Sequence, residues 1–225
     1  MSQVSKNLKA LHQKIEKKAC EHNRDTTNIN LVAVSKRQPV EKIQEALNAG
    51  HRLFGENRVQ EAYEHWQDLR VQYNDLKLHL IGPLQTNKAK EAVALFDVIE
   101  TVDREKLVLT LSLEMKKQER FLPCFIQVNT GDEEQKAGVS PDALSDFVTF
   151  CQEQNLNIVG LMCIPPVDEP PALHFAFLKK LAHQNGFKEL SMGMSSDFEQ
   201  AIAIGATYVR VGTGILVTER VKYFL

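Results

Sequence analysis

The sequence predicts an α/β fold, a single (β/α)8 TIM barrel with an extra N-terminal helix, spanning residues 1–225 as one domain. Three observations predict it. Eight short apolar runs alternate strictly with helical stretches, the pattern of a parallel sheet. The whole period fits into about 200 residues, the lower end for barrels of this kind, leaving little chain for a second module. The turn after the first run, Ser35-Lys36-Arg37-Gln38-Pro39, has no glycine, whereas an open doubly wound sheet normally offers a Gly-rich turn there.

The opening segment, residues 1–25, reads as an amphipathic helix packed on the barrel. Val4, Leu8, Leu11, Ile15 and Ala19 recur at spacings of four and three and form one apolar stripe. The first strand is expected over Ile29 to Ser35, and its helix from Pro39 to about Ala49. Proline suits a first helical turn, and Gly50 suits the C-terminal cap. The second strand is Arg52 to Phe54, followed by a helix from about Arg58 to Gln72. The third is Leu76 to Ile81, with a helix around Lys88 to Leu95; the fourth is Asp97 to Thr101, with a helix from Arg104 to Lys117. The fifth, Pro123 to Val128, is followed by a polar loop and a helix from Pro141 to about Gln154. The sixth is Ile158 to Ile164, then a helix from Pro171 to His183. The seventh is Glu189 to Met192, then a helix from Ser196 to Ile204 ending at Gly205; the eighth is Tyr208 to Val211.

Charge and cysteine usage exclude several classes. Lys plus Arg number 27 against 29 Asp plus Glu, so the basic excess of a nucleic-acid binder is missing. The basic run Lys14, Lys17, Lys18 is interleaved with Glu16 and Glu21 and reads as a solvated helix face. Cys20, Cys124, Cys151 and Cys163 show no C-x-x-C spacing, which fits reduced thiols in a cytosolic protein. Cys163, beside a strand end, is either a small buried hydrophobe or a site-lining group. No secretory h-region and no run of about 18 apolar residues is seen, so a cytoplasmic, membrane-free protein is expected. With no conspicuous unpaired edge, a monomer is expected.

In such a barrel the chemistry sits at the C-terminal ends of the strands. Alternation puts Val32, Val34 and Lys36 on one face, so Lys36 points into the mouth if the valines fill the barrel. A lysine among apolar groups has a depressed pKa, and its neutral amine can bond an aldehyde. Strand two ends in the polar cluster Gly55-Glu56-Asn57-Arg58, where Asn57 is either a helix cap or a ligand contact. His79 shares a face with Ile81 and reads as either a satisfied core histidine or a site residue. Strands seven and eight end in Met192-Gly193-Met194-Ser195-Ser196-Asp197 and Arg210-Val211-Gly212-Thr213-Gly214. Glycines allow close backbone approach, helix N-termini favour anions, and barrels often seat a phosphate in these two loops. Arg210, on the inward face with Tyr208 and Gly212, needs a partner such as a ring nitrogen or an acidic neighbour. A reactive lysine opposite a phosphate site points to a phosphorylated aldehyde, and pyridoxal 5′-phosphate (PLP) is the economical candidate.

With these residues assembled, the chain resembles the pyridoxal phosphate homeostasis proteins, barrels similar to the N-terminal domain of alanine racemase. The resemblance rests on Leu31 to Lys36, Phe54 to Glu61, His79 to Lys88, Leu190 to Ser195 with Asp197, and Val209 to Thr213. It implies that Lys36 carries PLP as a Schiff base, with Asn57 and His79 around the ring. It further implies that Met194, Ser195, Gly212 and Thr213 hold the phosphate and that Arg210 approaches the pyridine nitrogen. A role in intracellular PLP homeostasis without firm catalysis follows from it, with PLP-dependent apoenzymes as transient acceptors. Two departures occur: Gly214-Ile215-Leu216-Val217 replaces the usual Ala-Ile-Phe-Gly, and the segment Pro165 to Leu173 is shorter than usual. The alternatives are a PLP-dependent amino-acid racemase-like enzyme, which needs a second acid/base, and a Schiff-base aldolase. None of Tyr63, Tyr73, Tyr208 and Tyr223 lies in a motif suited to that second base.

Overall fold

The computed structural model describes residues 1–133 and 135–216. Among them, eight parallel strands close into a barrel in strict sequence order, each strand paired with its neighbours and β8 returning to β1. The strands are β1 (Asn30–Val34), β2 (Leu53–Glu56), β3 (Lys77–Leu80), β4 (Val98–Val102), β5 (Cys124–Gln127), β6 (Ile158–Met162), β7 (Glu189–Ser191) and β8 (Tyr208–Val211). The helices are α1 (Gln3–Glu21), α2 (Val40–Asn48), α3 (Val59–Trp66), α4 (Leu69–Gln72), α5 (Ala89–Leu95), α6 (Glu105–Gln118), α7 (Leu144–Glu153), α8 (Pro171–Gln184) and α9 (Phe198–Ile204). The expected fold class is the observed one. No helix among the described residues is long and apolar enough to cross a membrane.

The N-terminal helix follows from its stripe. Val4, Leu8, Leu11, Ile15 and Ala19 are the buried residues of α1, and the helix rests against α2 and α9. Ser2 caps it, accepting a hydrogen bond from the Ser5 amide. Gly50 follows α2 at φ +90°, the left-handed conformation that ends helices and that glycine adopts without strain.

Several boundaries differ from the sequence expectation; the helix after β5, for example, begins at Leu144, not Pro141. Residues 58–72 form two helices, because the chain breaks at Gln67 and Asp68. The helix after β7 begins at Phe198, two residues later than expected, since Asp197 turns back to accept from the Met194 amide. Strand two runs on to Glu56, which places that side chain in the wall. The strand faces divide the core. Leu31, Ala33, Phe54, Leu78 and Ile99 pack outward against helices in one apolar shell. Val32 and Val34 face inward instead: a Cβ added at Gly55 or at Gly212 would meet them. The barrel is filled, as expected for this architecture.

Candidate functional site

A cavity of about 550 Å³ opens at the C-terminal mouth of the barrel. That volume is within the ordinary range for small-molecule sites, about 300–1,000 Å³. Seven of the eight site residues proposed from sequence line it: Lys36, Asn57, Met194, Ser195, Arg210, Gly212 and Thr213. They come from loops far apart in sequence, and the closure of β8 onto β1 brings them together. Val32 pairs with Arg210 across that seam, so the loops after β1 and β8 face each other.

Lys36 stands on one wall. Strand β1 ends at Val34, so Lys36 belongs to the following turn and is solvent-exposed. The expectation of a lysine enclosed by apolar groups is corrected in this respect. Val34, Ile81 and Ile164 supply the apolar part of the lining around it. Next to it, Ser35 is fully buried and donates to Glu56 Oε1 at 2.6 Å, which anchors the turn from below.

Across the β1–β8 seam from it the strand-seven and strand-eight loops converge. The Gly212 amide and the Thr213 hydroxyl donate to Ser195 Oγ at 3.4 and 3.3 Å. Gly193 adopts φ +92°, and a Cβ there would lie 2.5 Å from that of Ala201, so only glycine allows the loop to pack on α9. Ser195, Ser196, Gly212 and Thr213 offer hydroxyl and amide donors to the cavity. Met194 lines it too, but its amide already donates to Asp197 Oδ1.

Arg210 forms part of the floor and is 4 % exposed. Its Nη2 donates to the Cys163 carbonyl at 2.8 Å and its Nη1 to the Ser191 hydroxyl. Ser191 in turn donates to Glu100 Oε2 at 2.6 Å, and Arg210 Nη1 lies 3.8 Å from the same oxygen. Burial alone would raise the Glu100 pKa; the hydrogen bond and charge of His79, the charge of Arg210 and the Ser191 hydroxyl outweigh it, and the net direction is down. Glu100 is therefore the acidic neighbour that the inward arginine required. Sequence reasoning did not single it out, although an acidic residue inside the apolar run Val98–Val102 was the available signal.

His79 is the one proposed site residue outside the cavity lining. It lies one layer deeper, with Nδ1 2.6 Å from Glu100 Oε1 and its ring 5.5 Å from that of Tyr208. It supports the floor from beneath and does not reach the mouth. Cys163 likewise stays out of the lining: it is fully buried, and burial pushes its thiol pKa up to about 12. Of the sequence departures, Gly214, Ile215 and Leu216 lie past the rim, and Val217 and Tyr223 lie outside the described residues.

Known proteins match both the sequence and this geometry. The family model "Alanine racemase, N-terminal domain" covers residues 4–219. The pyridoxal phosphate homeostasis protein of Vibrio cholerae is 39% identical over 226 residues, covering 96% of each chain. That of Escherichia coli K12 is 37% identical over 227 residues, again 96% of each. PipY of Synechococcus elongatus, solved with PLP bound, superposes with a TM-score of 0.81 at 36% identity, covering 95% of this chain and all of that one. A D-threonine aldolase from Filomicrobium marinum, at 13% identity and a TM-score of 0.71, shares the fold over 59% of its own length. The chain belongs to the pyridoxal phosphate homeostasis protein family, within the alanine racemase N-terminal-domain fold.

Proposed function

We propose that the chain holds PLP in the mouth cavity and serves its intracellular homeostasis, without turnover of an amino-acid substrate. The observation that carries this reading is the juxtaposition of Lys36 with the Ser195, Gly212 and Thr213 donors across one cavity, with Arg210 in its floor. The residues fit the cofactor. Lys36 Nζ would supply the amine for a covalent link to its aldehyde carbon. Ser195, Gly212 and Thr213 would supply neutral donors to its phosphate, with Asn57 in the same lining. PLP solved in PipY, a relative at 36% identity, supports the assignment.

When bound, PLP supplies an electron sink whose strength depends on protonation of its ring nitrogen. Arg210 is permanently cationic, and Glu100 below it keeps the guanidinium in place through Ser191. A fixed cation near the ring nitrogen would disfavour that protonation and weaken carbanion chemistry. The cavity lining points the same way. Its titratable side chains are Lys36, Arg37 and Arg210, with no His, Tyr, Cys, Asp or Glu among the described lining residues. Racemisation requires a second acid/base on the opposite face of the substrate carbon. Tyr208, the one inward-facing tyrosine among the described residues, sits in the layer below, against His79 and Phe125. A cytoplasmic setting and transfer of PLP to PLP-dependent apoenzymes complete the proposal; the four cysteines, all free, suit a reducing compartment.

The absorption spectrum between about 300 and 500 nm tests it, recorded for the wild-type protein with PLP and for Lys36→Ala. A near-violet band present in the first and absent in the second is the expected outcome. Absence of the band in the wild type after PLP addition overturns the assignment. Steady turnover across an amino-acid panel, lost in Lys36→Ala, replaces the homeostasis reading with the racemase-like one.

A further inference from the structure

The signature stretches Phe54–Glu61 and His79–Lys88 contribute only Asn57 and Ile81 to the mouth cavity. Five of their polar residues, Asn57, Arg58, Gln60, Gln85 and Lys88, line a second groove, about 760 Å³ in volume, between α3 and the segment joining β3 to α5. We propose that this groove is a ligand site for a small carboxylate or phosphate anion, contiguous with the first cavity through Asn57. The proposal stands on the groove's own residues and does not depend on what fills the first cavity.

Charge is the first argument. Arg58, Lys88 and Arg104 all line the groove, and no Asp or Glu does. The chain as a whole is slightly acidic, with a formal charge of -2, so three cations on one concave wall are a local departure from its average. Two of the three have partners behind them. Arg104 Nη1 meets Asp103, while its Nη2 donates to the Leu84 carbonyl at 2.7 Å and to Thr86 Oγ1 at 3.2 Å. Lys88 Nζ is 3.1 Å from Glu91 Oε1. Arg104 is thereby held in one orientation, and an oriented guanidinium loses little entropy when it binds an oxyanion.

Unused donors are the second argument. Among the described residues, the side chains of Asn57, Arg58 and Gln85 make no hydrogen bond, and Arg58 makes no ion pair. All three line the same groove. Each carries N–H groups able to meet carboxylate or phosphate oxygens. Val59, Pro83 and Leu84 supply apolar wall between them, which lowers the local dielectric and strengthens attraction to an anion. The volume favours a small molecule over an extended acidic protein segment.

The test is an amide-resolved NMR titration at fixed ionic strength, on the protein with and without PLP. Inorganic phosphate and succinate are the two probes. The expected result is saturable shifts at Arg58, Gln60, Gln85 and Lys88 that persist when PLP is present. Saturation by phosphate alone identifies a phosphate ester as the ligand class; saturation by succinate alone identifies a carboxylate. The double variant Arg58→Gln, Lys88→Gln should weaken binding about tenfold or more, since each removes a charged hydrogen-bond donor. Its near-violet PLP band and its unfolding midpoint should stay at wild-type values, which separates a lost site from a lost fold. Shifts that never saturate, that survive the double substitution, or that are confined to Ser195, Gly212 and Thr213 overturn the proposal. So does binding of an oligoglutamate peptide with no response to either small anion, which assigns the groove to a protein partner. Loss of the PLP band with groove shifts intact would break only the cofactor assignment.

Discussion

Two buried glutamates stand on opposite faces of the barrel wall and solve the same problem differently. Glu100 points into the barrel. Both of its oxygens are used, Oε1 by His79 at 2.6 Å and Oε2 by Ser191 at 2.6 Å, with Arg210 3.8 Å away. Glu56 points outward, under α3. Its Oε1 alone accepts from Ser35, Trp66 and His65, at 2.6, 3.0 and 2.8 Å, and Oε2 has no partner among the described residues. Glu100 has, besides His79, a counterion that never titrates, whereas the one cationic partner of Glu56 among the described residues is a histidine. A carboxylate with an arginine among its partners keeps a cation beside it at any physiological pH, while one whose cationic partner is histidine alone ties its surroundings to pH. The first lies under the candidate cofactor floor, and the second anchors Ser35, next to Lys36.

The largest effect should come from breaking the inner network. Glu100→Gln removes the charge that compensates Arg210 and leaves a buried guanidinium beside His79 unopposed. A loss of about 3–5 kcal/mol is expected, read from urea unfolding. A loss below about 1 kcal/mol would show that Arg210 does not depend on Glu100, and the contrast between the two glutamates would collapse. Glu56→Gln should cost less, about 1–2 kcal/mol. The amide oxygen still accepts from Ser35 and Trp66, and the unpartnered Oε2 position gives way to an NH2 group that also lacks a partner. Equal losses in the two variants would mean that the number of hydrogen bonds, and not the identity of the counterion, sets the cost.

The same pair marks the boundary of what sequence revealed. The barrel was legible because parallel strands buried on both faces leave continuous apolar runs between helices. The loops after β7 and β8 were legible because Gly193, Ser195, Gly212 and Thr213 have few other reasons to cluster before a turn. Glu100 was not. Ile99 and Val102 both pack outward although three positions apart, with Glu100 inside between them, a departure from strict alternation that accompanies the register shift between Ile99 and Val102 in the pairing of β4 with β5. A bulge leaves no periodic mark in one strand of five residues. Glu56 was grouped with the mouth because strand two was expected to end at Phe54; two further strand residues turn it into the wall. His79 was placed on the correct face and one layer too high, since alternation gives direction and not depth.

The smallest expected effect, and the most diagnostic, is on pH dependence. The hydrogen bond from its own ring to Glu56 raises the His65 pKa above 6.5, with the Glu56, Glu61 and Glu64 charges adding to it against partial burial. Raised in the folded state, this group contributes stability that is complete below the unfolded value near 6.5 and is lost as pH rises through the folded value. His51, at the opposite end of the barrel wall, has the reverse sign. Burial lowers its pKa to about 4, despite a hydrogen bond with the Leu53 carbonyl. Its contribution is present above about pH 6.5 and disappears as pH falls toward 4. Urea midpoints taken from about pH 5 to 9 therefore should decline on both sides. In Glu56→Gln the alkaline decline should flatten while the acid one remains, because only the His65 linkage has been cut. In His51→Gln the acid decline should flatten instead. An alkaline decline that persists unchanged in Glu56→Gln would detach His65 from Glu56, and leave the outer carboxylate held by Ser35 and Trp66 alone.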